Sequence, residues 1–302
     1  MVVPERSLRR DASDMTAHAK DLAVNVRGLR KQYGDVTAVD GIDLGIRQGE
    51  VFGLLGPNGA GKTTTVEILQ GNRSRDAGEV SVLGADPETA TRAWRSRVGI
   101  VWQDESAPAE LTVQETVRHF SRYYRRPRDP EEVIGLVGLQ EKAGSRIKAL
   151  SGGQRRRLDV ALGVIGGPEL LLLDEPTTGF DPAARRQFWD LIRKLADEGT
   201  TILLTTHYLE EAEALAHRLA VVAHGHVVAE GEPAALRERH GSESTVEWTE
   251  PDGTPRSEHT KTPTRTVAEL THRFDGEIPG LRVSRPTLED VYLRLTGQEN
   301  AR

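Results

Sequence analysis

Leu150-Ser151-Gly152-Gly153-Gln154 decides how this chain is read, because of what stands on either side of it. Before it comes a Gly-rich run, Gly56-Pro57-Asn58-Gly59-Ala60-Gly61-Lys62-Thr63-Thr64. After it comes Leu170-Leu171-Leu172-Leu173-Asp174-Glu175, an apolar run closed by two acids. The Gly-rich run follows the apolar Val51-Phe52-Gly53-Leu54-Leu55 and precedes a helical pattern from Lys62 to Leu69. Strand, glycine loop and helix in that order make a phosphate cradle. Gly56, Gly59 and Gly61 let backbone N–H groups approach phosphates, and the helix that follows aims its positive end at them. Lys62 is placed to bridge β- and γ-phosphates, and the Thr63 hydroxyl to ligate Mg²⁺.

The two acids end a buried strand, where open α/β sheets bind their ligands. Asp174 there holds Mg²⁺ through water, and Glu175 accepts a proton from, or orients, an attacking water. Taken alone, the pair would only close a strand before Pro176. The phosphate cradle makes the chemical reading the better one. Ser151 and Gln154 have the spacing of a capping box, so residues 150–154 open a helix. Arg155, Arg156 and Arg157 then crowd its first turn, where the helix dipole disfavours positive charge by a few tenths of a kcal/mol each. An anion docked at that end relieves the conflict, and the γ-phosphate of a nucleotide carried by a second subunit is the expected one. A solvated basic face is the alternative for the arginines.

The composition sets outer bounds. A chain of 302 residues accommodates one large and one small domain. No run of eighteen apolar residues occurs that could span a bilayer. The absence of cysteine excludes disulfides and cysteine-ligated metals and fits a reducing compartment. A net charge of -6 gives no reason to expect a nucleic-acid partner.

Along the chain, residues 1–21 are polar and unpatterned and read as a disordered leader. Strands are expected at 23–29, 41–47, 50–55 and 98–102, the last ending at Gln103. From about 105 to 166 the pattern is helical, with Thr112 and Glu115 as a capping pair. Strands at 170–173, 201–204 and 219–223 follow, with a helix from Asp181-Pro182 to Gly199 between the first two. Near residue 240 the composition shifts to Ser, Thr, Glu and Pro. A hairpin around Pro251-Asp252-Gly253, a helix at 267–274, a strand at 281–284 and a helix from Thr287 make residues 241–302 a small α+β unit.

Six motifs over residues 22–240 stand in an order and spacing that resemble the nucleotide-binding subunit of an ATP-binding-cassette (ABC) transporter. The resemblance implies an α/β fold, the P-loop NTPase ABC ATPase domain. It has a RecA-like core, an antiparallel β subdomain and a helical subdomain, here with a C-terminal α+β appendage. By the same resemblance Tyr33 stacks on adenine, Gly56 to Thr64 form the Walker A loop, and Gln103 touches Mg²⁺ and the membrane partner. Ser151, Gly152, Gly153 and Gln154 are the signature, Asp174 and Glu175 belong to Walker B, Asp181 lies in the loop linking two sites, and His207 senses the γ-phosphate. On residue type alone Tyr33 is a surface-turn aromatic, Gln103 a strand end, Asp181 a helix N-cap and His207 a structural hydrogen-bonding group. Phe180 departs from the family's usual Leu, apolar for apolar.

The resemblance further implies ATP and Mg²⁺ as ligands, and a head-to-tail homodimer with Lys62, Asp174, Glu175 and His207 of one chain facing Ser151 and Gly153 of the other. It implies a polytopic permease of about six spans as partner, and a peripheral place on the cytoplasmic side of the cell membrane. Residues 205–213 and 286–297 resemble bacterial exporter subunits of the daunorubicin-type drug-resistance branch. The rival class is a soluble ABC ATPase acting as an ATP-gated clamp. Repair clamps carry long coiled-coil inserts and translation factors two cassettes in one chain, and this sequence has neither.

Overall fold

The structure, a computed structural model, describes residues 21–101, 110–240 and 243–297. Strands β1 (Leu22–Tyr33) and β2 (Val36–Arg47) pair antiparallel along most of their length. Strand β3 (Val51–Leu55) is buried at every position and runs through the glycine loop into helix α1 (Lys62–Leu69). Strand β4 (Ala77–Val82) then returns to the free side of β1, giving a three-stranded sheet of order β2-β1-β4. A one-turn helix α2 (Arg92–Arg95) leads into β5 (Val98–Val101).

The described part of the helical subdomain is α3 (Val113–Ser121), α4 (Pro130–Leu136) and α5 (Gly152–Val164). Each starts on the cap its sequence supplies. Thr112 and Glu115 form a capping box on α3, Asp129 caps α4 with Pro130 at its first position, and Ser151 and Gln154 form a capping box on α5. Val113, Val117, Val133, Ile134 and Leu158 turn inward and share one core with Leu171 and Leu173 of β6 (Leu170–Asp174).

Helix α6 (Pro182–Asp197), strand β7 (Thr201–Thr206), helix α7 (Leu209–Leu215) and strands β8 (Arg218–Ala223) and β9 (His226–Gly231) complete the main layer. The large sheet has the order β5-β6-β7-β3-β8-β9. Its first five strands are parallel and β9 is antiparallel to β8. Strands β3, β6 and β7 are buried throughout, as central strands of a parallel sheet covered on both faces must be. Since these three are neighbours and run the same way, the loops after Leu55, Asp174 and Thr206 leave one edge together. Ligands bind at that carboxyl edge of an open parallel sheet.

Helix α8 (Pro233–His240) precedes a second three-stranded sheet, β10 (Ser244–Thr249), β11 (Pro255–Thr260) and β12 (Arg282–Ser284), in the order β11-β10-β12. Helix α9 (Pro263–Phe274) packs Leu270 against Val246 and Trp248 of β10. The last helix, α10 (Leu288–Thr296), does not stay with this small unit. Its Leu288 and Tyr292 join Leu55, Ala212, Leu219 and Leu236 in one cluster, so the end of the chain packs behind the strand that feeds the phosphate loop.

Candidate functional site

The phosphate loop has glycine where no other residue fits. A Cβ on Gly56 would lie 2.4 Å from the Val222 carbonyl oxygen, and one on Gly61 would lie 2.3 Å from that of Ala38. Gly61 also holds φ at 102° and Gly59 at 80°, in the left-handed region that L side chains avoid. Gly61 caps α1 without a side chain to accept from the first-turn N–H groups, so those donors stay available to an anion. Asn58, Gly59 and Thr63 are exposed on the open side, while Gly56, Ala60 and Gly61 are buried beneath. The Ala60 carbonyl accepts from Gly225 N at 3.2 Å, which ties the loop to the turn between β8 and β9.

Lys62 is only 5% exposed. Its ammonium donates to the carbonyls of Gly56 at 2.8 Å and Pro57 at 3.2 Å and lies 3.6 Å from Glu175 Oε1. Burial lowers its pKa, opposed by the charges of Glu175 and Asp174. Two carbonyls and a carboxylate oxygen thus surround the buried ammonium.

The two acids are held by a residue the sequence reading did not single out for chemistry. Thr205 pairs with Asp174 in the β6–β7 register. Its hydroxyl donates to Asp174 Oδ1 at 2.5 Å and accepts from Glu175 N at 2.9 Å. The only advance signal was its place in β7, one strand from the acids. Glu175 holds φ at 43°, a conformation costing roughly 1–3 kcal/mol in a non-glycine residue. The tight turn sends its carboxylate back over the sheet edge. There Oε1 meets Lys62, and Oε2 lies 3.2 Å from His207 Nδ1. That contact lacks hydrogen-bond geometry, so the buried His207 Nδ1 has no hydrogen-bond partner. The imidazole packs on the Tyr208 ring at 4.1 Å, and the Arg185 guanidinium lies over that ring at 4.5 Å.

The structure thus brings Lys62, Asp174, Glu175 and His207 to one sheet edge. It does not bring residues 151–154 into that group. Ser151 Oγ accepts from Gln154 N at 3.3 Å and Gln154 Oε1 from Ser151 N at 3.0 Å, with Ser151 and Gly152 exposed. The arginines that follow are not uniformly presented to an anion. Arg156 is buried and donates to the carbonyls of Pro176 and Asp174, each at 3.0 Å, and Arg157 donates to Gln187. The Arg156 charge is thereby spent inside the chain, bracing the signature helix against the Asp174 strand end.

Asp181 caps α6 by accepting from Ala184 N at 2.8 Å and is exposed. Phe180 packs edge-on against Phe188, which is where its apolar character is used. Tyr33 ends β1, partly exposed, with the charged ends of Arg73 and Lys31 at 5.2 and 5.6 Å from its ring centre. Gln103 lies outside the described residues.

A parallel sheet whose central strand opens into this glycine cradle, with paired acids on the strand two places away, defines a P-loop nucleoside triphosphatase. The antiparallel sheet around β1 and the helical subdomain ending in the Ser151 helix narrow the class to the ATP-binding cassette. Comparison with known proteins agrees. The ABC transporter family model matches residues 39–178. The Nod factor export ATP-binding protein I of Ralstonia nicotianae is 41% identical over 91% of this chain and 94% of its own length. That of Rhizobium meliloti is 40% identical over 92% and 89%. The ATP-binding cassette MJ0796, solved as a dimer bound to ADP and Pi, superposes with a TM-score of 0.62 at 24% identity over 69% of this chain and 98% of its own, a likeness of fold. The chain belongs to the ATP-binding subunits of ABC transporters, and its catalytic domain is an ABC ATPase.

The cradle fits a nucleoside triphosphate with its metal. The first-turn N–H groups and buried Lys62 supply positive charge, the His207 nitrogen lacks a partner, and Asp174 and Thr63 offer oxygen donors of the kind Mg²⁺ takes.

Proposed function

We propose that this chain is the ATP-hydrolysing subunit of an exporter and powers a separate polytopic permease from the cytoplasmic side of the cell membrane. The observation that carries the reading is the convergence of Lys62 and His207 on the two oxygens of Glu175, at 3.6 and 3.2 Å. Lys62 gives up its loop carbonyls to bind β- and γ-phosphate oxygens, and Glu175, relieved of that ion pair, turns to the attacking water. His207 Nδ1 or its ring partner nitrogen holds the γ-phosphate. Asp174 and Thr63 would hold Mg²⁺, with Gln103 completing its site. Bound there, Mg²⁺ neutralises charge on the phosphates. Tyr33 offers its ring to adenine.

Ser151, exposed, and Gly153, half-buried, complete the site of a second copy arranged head to tail. Ser151 and Gly152 are exposed at the α5 N-terminus, the end that would meet that γ-phosphate. Closure of the dimer on two ATP molecules drives the permease, and hydrolysis reopens it. Export is supported by the relatives' names, and residues 205–213 and 286–297 support a drug or other hydrophobic compound as cargo. No described helix is long and apolar enough to cross a membrane, which leaves that task to the permease.

The test is a pull-down from native membranes with the Glu175→Gln chain and ATP. The variant should retain ATP binding, lose turnover by at least about 10²-fold, and bring a polytopic membrane protein with it. Recovery only as a homodimer or in a soluble assembly would favour the ATP-gated clamp, and normal turnover would remove Glu175 from its role.

A further inference from the structure

Arg156 stands where its helix calls for an apolar residue. With Val160 and Val164 it recurs at the four-residue spacing of one face of α5, and all three are buried. A methionine there would continue the row without taking a cation out of water. The guanidinium instead reaches the end of β6. Its Nη2 donates to the Asp174 carbonyl and its Nε to the Pro176 carbonyl, each at 3.0 Å. A planar guanidinium presents such donors in a fixed fork, so the two acceptors are held in one geometry.

Those two carbonyls bracket Glu175. The Asp174 carbonyl belongs to the same peptide as the Glu175 N–H, which donates to the Thr205 hydroxyl at 2.9 Å. That peptide is therefore pinned at its oxygen from α5 and at its N–H from β7. The next carbonyl, that of Glu175, accepts from Thr178 N at 3.3 Å. Every backbone polar group from the Asp174 carbonyl to the Pro176 carbonyl is thus engaged. Between these anchors Glu175 holds φ at 43°, a conformation that persists in a non-glycine residue only when its surroundings enforce it. The direction of the carboxylate depends on that angle. With it, Oε1 lies 3.6 Å from Lys62 and Oε2 lies 3.2 Å from His207. Relaxation of the turn to an ordinary φ would carry the carboxylate away from both.

We propose that Arg156 is a positioning residue for hydrolysis: its forked guanidinium holds the left-handed turn at Glu175 and so keeps that carboxylate at the sheet edge. The proposal rests on the reading of Glu175 as the group that acts on the attacking water. Misplacing a reacting group by about 1 Å costs on the order of 10²-fold in rate. Both carbonyl bonds end on the Glu175 turn and neither on the phosphate loop, so loss of the fork falls on hydrolysis and not on nucleotide affinity.

The experiment is a double-mutant cycle on the full chain, read by single-turnover ATP hydrolysis and by the Kd of a fluorescent ATP analogue. Arg156→Lys keeps the buried charge and loses the fork. It should slow hydrolysis by about 10- to 100-fold with Kd essentially unchanged. In a Glu175→Gln background the same replacement should add no further loss, because its effect passes through the Glu175 carboxylate. Should Arg156→Lys fail to fold, Arg156→Gln takes its place in the same cycle with the same expectation. A wild-type rate in Arg156→Lys, losses that multiply in full in the two backgrounds, or a loss carried entirely by Kd would overturn the positioning role while leaving Glu175 in place. A Glu175→Gln chain hydrolysing at the wild-type rate would instead overturn the site reading itself, and the proposal with it.

Discussion

At Gly61 a methyl group meets both a backbone oxygen 2.3 Å away and a φ of 102°. Gly61→Ala should cost roughly 1–3 kcal/mol in strain and move the loop N–H groups, so calorimetric titration should show ATP affinity falling with the global fold intact. At Glu211, buried in the first turn of α7, the charge is the issue. Its folded-state pKa is raised, so the folded chain holds the proton to higher pH than the unfolded one. Its stabilising contribution is complete below the unfolded carboxyl pKa and is lost as pH rises through the folded value. Glu211→Gln should flatten that fall when denaturant unfolding is followed across the interval, with Arg185, Arg156, Trp189, Thr206 and Thr177 still facing the site. An unchanged slope would assign the pH dependence elsewhere. The cradle glycines and the acids were legible at this scale because residue type itself encodes their backbone needs. Thr205, Arg156 and Glu211 were not. Each bonds to residues between 18 and 31 positions away, and only the pairing of β6 with β7 and the packing of α5, α6 and α7 bring them together.

Elements with strong patterns and caps were readable: the helix from Lys62, the capping boxes at Thr112 and Ser151, the helix from Pro182 after Asp181, and the hairpin at Pro251-Asp252-Gly253. Strands β4 and β9 escaped notice because both lie at sheet edges, where half-exposed polar residues blur the alternation. The destination of α10 was hidden for a different reason. Its apolar face at Leu288, Val291, Tyr292 and Leu295 announces a helix that must pack, but not against what. In the small tail sheet α9 already covers the available face, and α10 goes instead to Leu55, Leu219 and Leu236. Leu288→Ala should therefore destabilise the ATPase domain itself by about 2–5 kcal/mol. Urea unfolding followed by a probe in the main sheet checks this; a loss confined to the tail would show α10 to be peripheral.

In the whole molecule, Lys62, Asp174, Glu175 and His207 gather at one sheet edge, while the Ser151 hydroxyl accepts from its own helix. The proposed head-to-tail dimer would join these two groups in one site between two copies. Two features support the proposed pairing: Ser151 and Gly152 are exposed at the α5 N-terminus, and no cap side chain takes the cradle's first-turn N–H donors. The most direct measurement is sedimentation velocity of the Glu175→Gln chain with and without Mg-ATP, repeated with Ser151→Arg added. The account predicts a dimer that forms only with Mg-ATP and disappears when Ser151 is replaced. A monomer under all conditions, or a dimer indifferent to Ser151, would contradict it.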